Sequence, residues 1–244
     1  MYIKFQKGNT FRMQQNWNKH ECEYYSREII ESASFTSVSK WYISNLPDYY
    51  KQRIVYRAKS EQCRVYAVEN IAIEYAKMVA VDVEQPVPVR AAAIKRLDDI
   101  FDFELILSIL RRTRDSIIEN ACFEVVSFGR NIYAIICDEE IRASVKQKFI
   151  RGLSGKAQIL IDIAKNEVVD IDLRKRAVDM LRYDTIKRDI ATAVKSIPLI
   201  VYIIETTSFC ESFLNKVAFI HPMIESKVMS IYSQRKQKRK NGSN

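Results

Sequence analysis

Val89-Arg90-Ala91-Ala92-Ala93-Ile94-Lys95-Arg96-Leu97 is one of three stretches built on a single pattern. The others are Cys63-Arg64-Val65-Tyr66-Ala67-Val68-Glu69-Asn70-Ile71 and Leu173-Arg174-Lys175-Arg176-Ala177-Val178-Asp179-Met180-Leu181. Each reads apolar, Arg, two free positions, Ala, a β-branched apolar residue, two free positions, apolar. Apolar residues at i, i+4, i+5 and i+8 share one face of a helix, and the alanine lets a neighbouring helix approach closely. Weaker copies are Ile118-Glu119 with Cys122, Phe123 and Val126, and Ile141-Arg142 with Val145 and Phe149. The second residue of each unit is then 64, 90, 119, 142 and 174, at steps of 26, 29, 23 and 32 residues. A unit of that length holds two short helices and two turns, the signature of a helical repeat.

Outward from these stretches, the intervening segments read as the second helix of each pair: Phe103 to Leu110, Asn131 to Cys137, Ser154 to Ile163, Asp184 to Val194 and Ile197 to Ile204. Pro86, Pro88, Gly129, Gly152, Gly155 and Pro198 fall near the joints, where helix breakers belong. The fold class expected is all-α, an α-solenoid of about five degenerate helix pairs. With 5 Gly and 5 Pro in 244 residues there is little turn chemistry for a many-stranded β fold or a glycine-rich nucleotide loop.

The stretch from Val87 to Val126 resembles the short HEAT-like repeats, whose pattern is a Val-Arg pair, spaced alanines, an acidic turn and a second leucine-rich helix. Arg90, Ala93, Leu97, Asp102 and Leu110 match it, and Arg174, Ala177 and Leu181 match again. The resemblance extends over about residues 60–195, with Glu119 departing from the pattern. It implies an α-solenoid that binds partners and carries over no catalytic residue.

Three domains are expected. Residues 1–57 hold 12 of the 26 aromatic residues and both tryptophans, and read as a helical cap on the stack or as a partner site. In Ser44-Asn45-Leu46-Pro47-Asp48 the cap, the proline and the acid announce a helix. Residues 58–232 are the solenoid, closed by a helix over about 222–232, and residues 233–244 form a basic disordered tail. The net charge is +9, of which the tail supplies five through Arg235, Lys236, Lys238, Arg239 and Lys240. A body of +4 is not strongly basic, so the tail reads as a solvated end or as a short arm for phosphates or anionic lipid.

The recurrent arginines Arg64, Arg90, Arg142 and Arg174 read as pairing with nearby acids such as Glu61, Glu140 and Asp172, or as an anion ladder. Denser clusters are Arg111, Arg112 and Arg114; Lys146, Lys148, Arg151 and Lys156; and Arg174, Lys175 and Arg176 followed by Arg182, Lys187 and Arg188. These are solvated helix faces or, gathered by a superhelix, contacts for phosphates or an acidic protein segment. Ile150 to Ile159, with Gly152 and Gly155, is similar to the clamping loop of KH domains if Ile132 to Cys137 is a strand. As a P-loop it fails, because Ile150 and Ala157 stand where Gly and Ser or Thr are needed.

Catalytic chemistry finds few candidates among two histidines and no nucleophile motif. His20 and Cys22 have ligand-like spacing without a second pair. Asp98, Asp99, Asp102 and Glu104 suit a helix start and its dipole, bridging to nearby arginines, better than a metal cluster. No cofactor is expected. The longest apolar run, Ile197 to Ile204, is far short of the roughly 20 residues a membrane span needs, and the N-terminus lacks the apolar block of a secretory signal. Five scattered cysteines suit a reducing, cytoplasmic setting. The function expected is a non-enzymatic scaffold gripping a protein partner; the alternative is a DNA- or RNA-binding solenoid using the basic clusters.

Overall fold

A computed structural model describes residues 18–207, 209 and 211–241, with positions 235, 236 and 238–241 described by their backbone alone. The fold is all-α, and the described residues contain no strand. The chain divides into two compact units, Met1–Leu97 and Asp98–Asn244.

The N-terminal unit holds α1 (Lys19–Glu31), α2 (Ser37–Asn45), α3 (Asp48–Arg57), α4 (Glu61–Asn70), α5 (Ile73–Val81) and α6 (Val87–Ile94). Local chemistry sets the starts. Asn18 and Glu21 form a reciprocal capping box on α1, Ser60 accepts from the Cys63 N–H, and Pro47 and Pro86 precede α3 and α6. Helices pack on their sequence neighbours and on the next but one: α1 on α3, α2 on α4, α4 on α6. The aromatic segment shares its compact unit with the helices up to Leu97. Its α2 and α3 pack on α4, and Ile43, Ile54 and Val55 are fully buried.

The C-terminal unit holds α7 (Phe103–Arg112), α8 (Ser116–Val125), α9 (Gly129–Cys137), α10 (Ala143–Arg151), α11 (Ala157–Lys165), α12 (Ile171–Met180), α13 (Asp184–Ala193), α14 (Ile197–Thr206), α15 (Glu211–Ile220) and α16 (Glu225–Asn241). Helices α8, α10, α12, α14 and α16 pack in succession, and so do α9, α11, α13 and α15. Two layers built this way are consistent with a stack of helix pairs, each covering the apolar face of the next.

The repeat falls on α4, α6, α8, α10 and α12, with one correction of register. Arg142 is the N-cap of α10, and the buried set is Val145, Phe149, Ile150 and Leu153, at i, i+4, i+5 and i+8. Lys146 therefore holds the arginine position. The steps become 26, 29, 27 and 28 residues, more regular than the sequence reading. Leu199, Ile203, Ile204 and Thr207 repeat the same buried spacing in α14, a further unit. Ile197 to Ile204 thus belongs to the layer of α8 to α16, whereas the sequence reading made it a second helix. Its arginine position holds Ile200, which hid the match.

Two other expectations are revised. Ile132 to Cys137 lies within α9, so the segment around Gly152 and Gly155 is an interhelical turn and not a KH loop. The last helix does not stop near Tyr232; its backbone is helical to Asn241, because Gln, Arg and Lys are good helix formers and no Gly or Pro intervenes. Among the described residues no helix is long and apolar enough to cross a membrane.

Candidate functional site

The recurrent arginines face inward. Arg64 donates from Nε to the Val55 carbonyl (2.7 Å), Arg90 to Ala80 (3.3 Å) and Arg174 to Ala164 (2.9 Å), each near the C-terminus of the preceding helix. The last carbonyls of a helix lack intrahelical partners and carry its negative pole, so a guanidinium satisfies both. Neither the expected pairs with Glu61, Glu140 and Asp172 nor an anion ladder is formed by these three. Glu140 approaches Arg111 and Asp172 approaches Lys175 instead. Arg142 pairs with Glu119. The acidic turn is likewise structural. The Asp99 carboxylate accepts from the backbone N–H of Ser127 (2.7 Å) and of Phe128, at the start of α9, and the Asp98 carboxylate accepts from Ile100 and Phe101. His20 is exposed and Cys22 buried, so the two do not form a ligand pair.

Several members of the basic clusters are engaged by neighbours. Arg111, at the end of α7, donates to Asp138 from Nε (3.0 Å) and Nη2 (2.6 Å), and this hydrogen bond raises its pKa further. Arg114 donates to the Thr113 carbonyl, and Arg112 is exposed. This group sits where α9 leads into α10. Arg151 and Lys156 sit at the opposite end of α10, about 13 Å along its axis. Lys146 is half-buried, Lys148 places Nζ 5.2 Å over the Phe123 ring, Arg151 is exposed, and Lys156 donates to the Ser127 carbonyl. Among the described residues these four have no carboxylate partner. Lys175 is 3.5 Å from Asp172 and lies over the Tyr202 ring, while Arg176 is exposed. The side chains of Arg235, Lys236, Lys238, Arg239 and Lys240 lie outside the described residues.

At the Arg151 end of the C-terminal unit, the turn after α10 and the turn after α12 enclose an open cleft of about 250 Å³, lined by Gly155, Leu160, Leu181, Arg182, Tyr183 and Ile186. Gly155 has φ +80°, which the tight turn needs and which glycine adopts without strain. Leu160 and Leu181 are buried beneath; Tyr183 is 67% exposed and Arg182 is exposed beside it. The run of basic residues following Arg174 pointed to Arg182 in the sequence. Tyr183 carried no signal, because only the meeting of two turns distant in sequence makes it a wall.

The N-terminal unit presents a different surface. Tyr24, Tyr25, Glu28, Ile29, Val38 and Tyr42 line an open cleft of about 260 Å³ between α1 and α2. The rings of Tyr25 and Tyr42 stack with centroids 4.1 Å apart, Tyr24 meets Tyr25 edge-on at 5.3 Å, and Trp41 meets Tyr42 edge-on at 5.1 Å. Burial, reinforced by the Tyr25 hydroxyl, pushes the Tyr42 phenol up to about 12. Tyr24 is 60% and Trp41 50% exposed. Tyr2, Phe5, Phe11 and Trp17 of the aromatic segment lie outside the described residues.

No family model matches the chain, and neither the curated proteins nor the solved structures contain a match.

Proposed function

We propose that the protein is a non-enzymatic interaction scaffold that binds a protein partner, with the aromatic cleft between α1 and α2 as the contact. The observation that carries the reading is the exposure of Tyr24, Trp41 and Val38 around a cleft whose inner rings, Tyr25 and Tyr42, are fixed by stacking. Aromatic side chains already held in place lose little conformational entropy on binding, which is why Tyr and Trp dominate interface hot spots. Contiguous exposed apolar groups rimmed by polar ones mark partner sites. Here the rim carries Glu28, exposed and without an ion partner among the described residues, which suits a partner presenting a basic residue beside its apolar contact. Cys22, Cys63 and Cys137 are free thiols, in keeping with a reducing compartment such as the cytoplasm.

The test is affinity capture from native extract with the wild-type chain and with a Tyr24→Ala/Trp41→Ala variant. Both residues are exposed, so helicity should be unchanged by circular dichroism. A partner recovered by the wild type and lost by the variant supports the reading; equal recovery by both overturns it.

A further inference from the structure

We infer that the α15–α16 hairpin of the C-terminal unit docks on an anionic lipid surface, with Phe219 and Met223 entering the headgroup boundary and the basic end of α16 lying along the phosphates. The inference stands apart from the protein-partner reading, since it uses other residues in another unit.

Three features carry it. The first is a pair of surplus apolar groups. Helix α15 buries Phe213, Leu214, Val217 and Ala218, and the turn and α16 bury Ile224 and Val228, so the hairpin makes its core contacts without Phe219 and Met223. These two stand 85% and 87% exposed at the corner where α15 ends. Apolar groups protruding from a convex corner enter a soft interface, whereas a rigid partner would have to enclose them. The second is charge. Residues 226–244 contain Lys227, Arg235, Lys236, Lys238, Arg239 and Lys240 and no acid. Lys216 on α15 and Lys227 are exposed without a carboxylate partner among the described residues. Against these stand two acids of the hairpin, Glu225 and Glu211, the latter accepting from the Tyr232 hydroxyl at 2.7 Å. Clusters of about 4–8 cations on a helix are what anionic headgroups retain. The third is placement. The contact of Tyr232 with Glu211 shows that α16 runs back along α15, so the apolar corner and the basic end lie at opposite ends of one hairpin. At 1.5 Å per residue, Arg235 to Lys240 stand about 15–22 Å along α16 from Glu225. The exposed residues between include Ser226, Met229, Ser230 and Ser233, none of them charged, and the cation Lys227. A bilayer is wide enough to meet both ends at once, and its anions diffuse to wherever the cations stand. A nucleic acid would use the cations and leave Phe219 and Met223 without a role.

The experiment is cosedimentation of the full-length chain with vesicles of phosphatidylcholine alone or with about one-third phosphatidylserine, at low and physiological salt. Binding should require the anionic lipid and should weaken without vanishing at physiological salt, because screening acts on the cations and not on the inserted side chains. Replacing Arg235, Lys236, Lys238, Arg239 and Lys240 by Gln, which keeps the helix propensity, should lower partitioning on the order of a thousandfold, about fivefold for each cation at an anionic surface. Phe219→Ser with Met223→Ser should lower it roughly tenfold, and since both side chains are exposed the far-ultraviolet circular dichroism should not change. Absence of binding to the anionic vesicles, equal binding to phosphatidylcholine alone or indifference to Phe219→Ser with Met223→Ser would each overturn the inference. So would release of the bound chain by duplex DNA at equal charge, which would assign the cations to nucleic acid.

Discussion

Replacing Arg64 and Arg174 separately by methionine should have unequal consequences, although the two arginines occupy the same position of the repeat. Methionine keeps most of the apolar stem in each case, so the comparison isolates the polar head. Arg64 uses both sides of its guanidinium: Nε on the Val55 carbonyl at 2.7 Å and Nη2 on Gln85 Oε1 at 2.6 Å. Gln85 is only 6% exposed and is tied in turn to Asp82 at 3.3 Å. Removing the guanidinium takes away two charge-assisted bonds and orphans a buried amide oxygen, an expected loss of about 2–4 kcal/mol. Arg174 is 4% exposed and makes one bond, to Ala164, while its Nη2 is buried without a partner. Burial also pulls its pKa down, with Glu167 opposing. The lost bond, about 1.5–3 kcal/mol, is then offset by relief of a buried cation with an unmade hydrogen bond, a gain of similar size. The net change expected for Arg174→Met is within about 1 kcal/mol of zero.

Urea unfolding reads the difference. Trp41 lies on α2 of the N-terminal unit, so its fluorescence reports on the unit of Arg64, while far-ultraviolet circular dichroism reports on all the helices. At roughly 1–3 kcal/mol per molar urea, Arg64→Met should move the fluorescence midpoint down by about 1–2 M and Arg174→Met should move the dichroism midpoint by well under 1 M. Equal losses, or a larger loss at Arg174, would refute the assignment of these arginines as carbonyl caps of unequal completeness.

Three further outcomes are expected. Asp99→Ala frees the amides of Ser127 and Phe128 at the start of α9, so hydrogen exchange there should quicken and stability fall by about 1 kcal/mol. Gly155→Ala should cost about 1–2 kcal/mol in a thermal melt, and Gly155→Asn less; a Cβ there would meet nothing within 4 Å, so the cost is wholly that of φ +80°. Asp138 is pushed up by burial, but the hydrogen bond from Arg111 and those from the Glu140 and Ile141 backbones outweigh this and hold its carboxyl below the usual range. Its contribution to stability is complete above about pH 4 and is lost as pH falls through the lowered value. Asp138→Asn should therefore flatten the acid limb of stability against pH in urea titrations, and an unchanged limb would count against the pair.

The sequence by itself determined the helices. Apolar spacing, caps and breakers are local, and Asp48, Phe103 and Asp184 begin helices where the sequence announces them. The repeat was legible for the same reason, since Cys63, Val89, Ile118 and Leu173 each start the same buried face. What polar side chains do was not legible. Arginine in this motif reads equally as an ion-pair partner or an anion ligand, and only the approach of the preceding helix, nine or ten residues away, turns Arg64, Arg90 and Arg174 onto carbonyls. The register at Lys146 was hidden because Ile141 and Arg142 imitate the motif one turn too early, and burial alone separates the two. Arg111 is engaged by Asp138, 27 residues on, and Tyr183 became the wall of a cleft by the meeting of two turns. A helix is written in short-range periodicity, whereas a charge or ring gains its role from whatever the fold brings beside it, and that placement belongs to the tertiary structure.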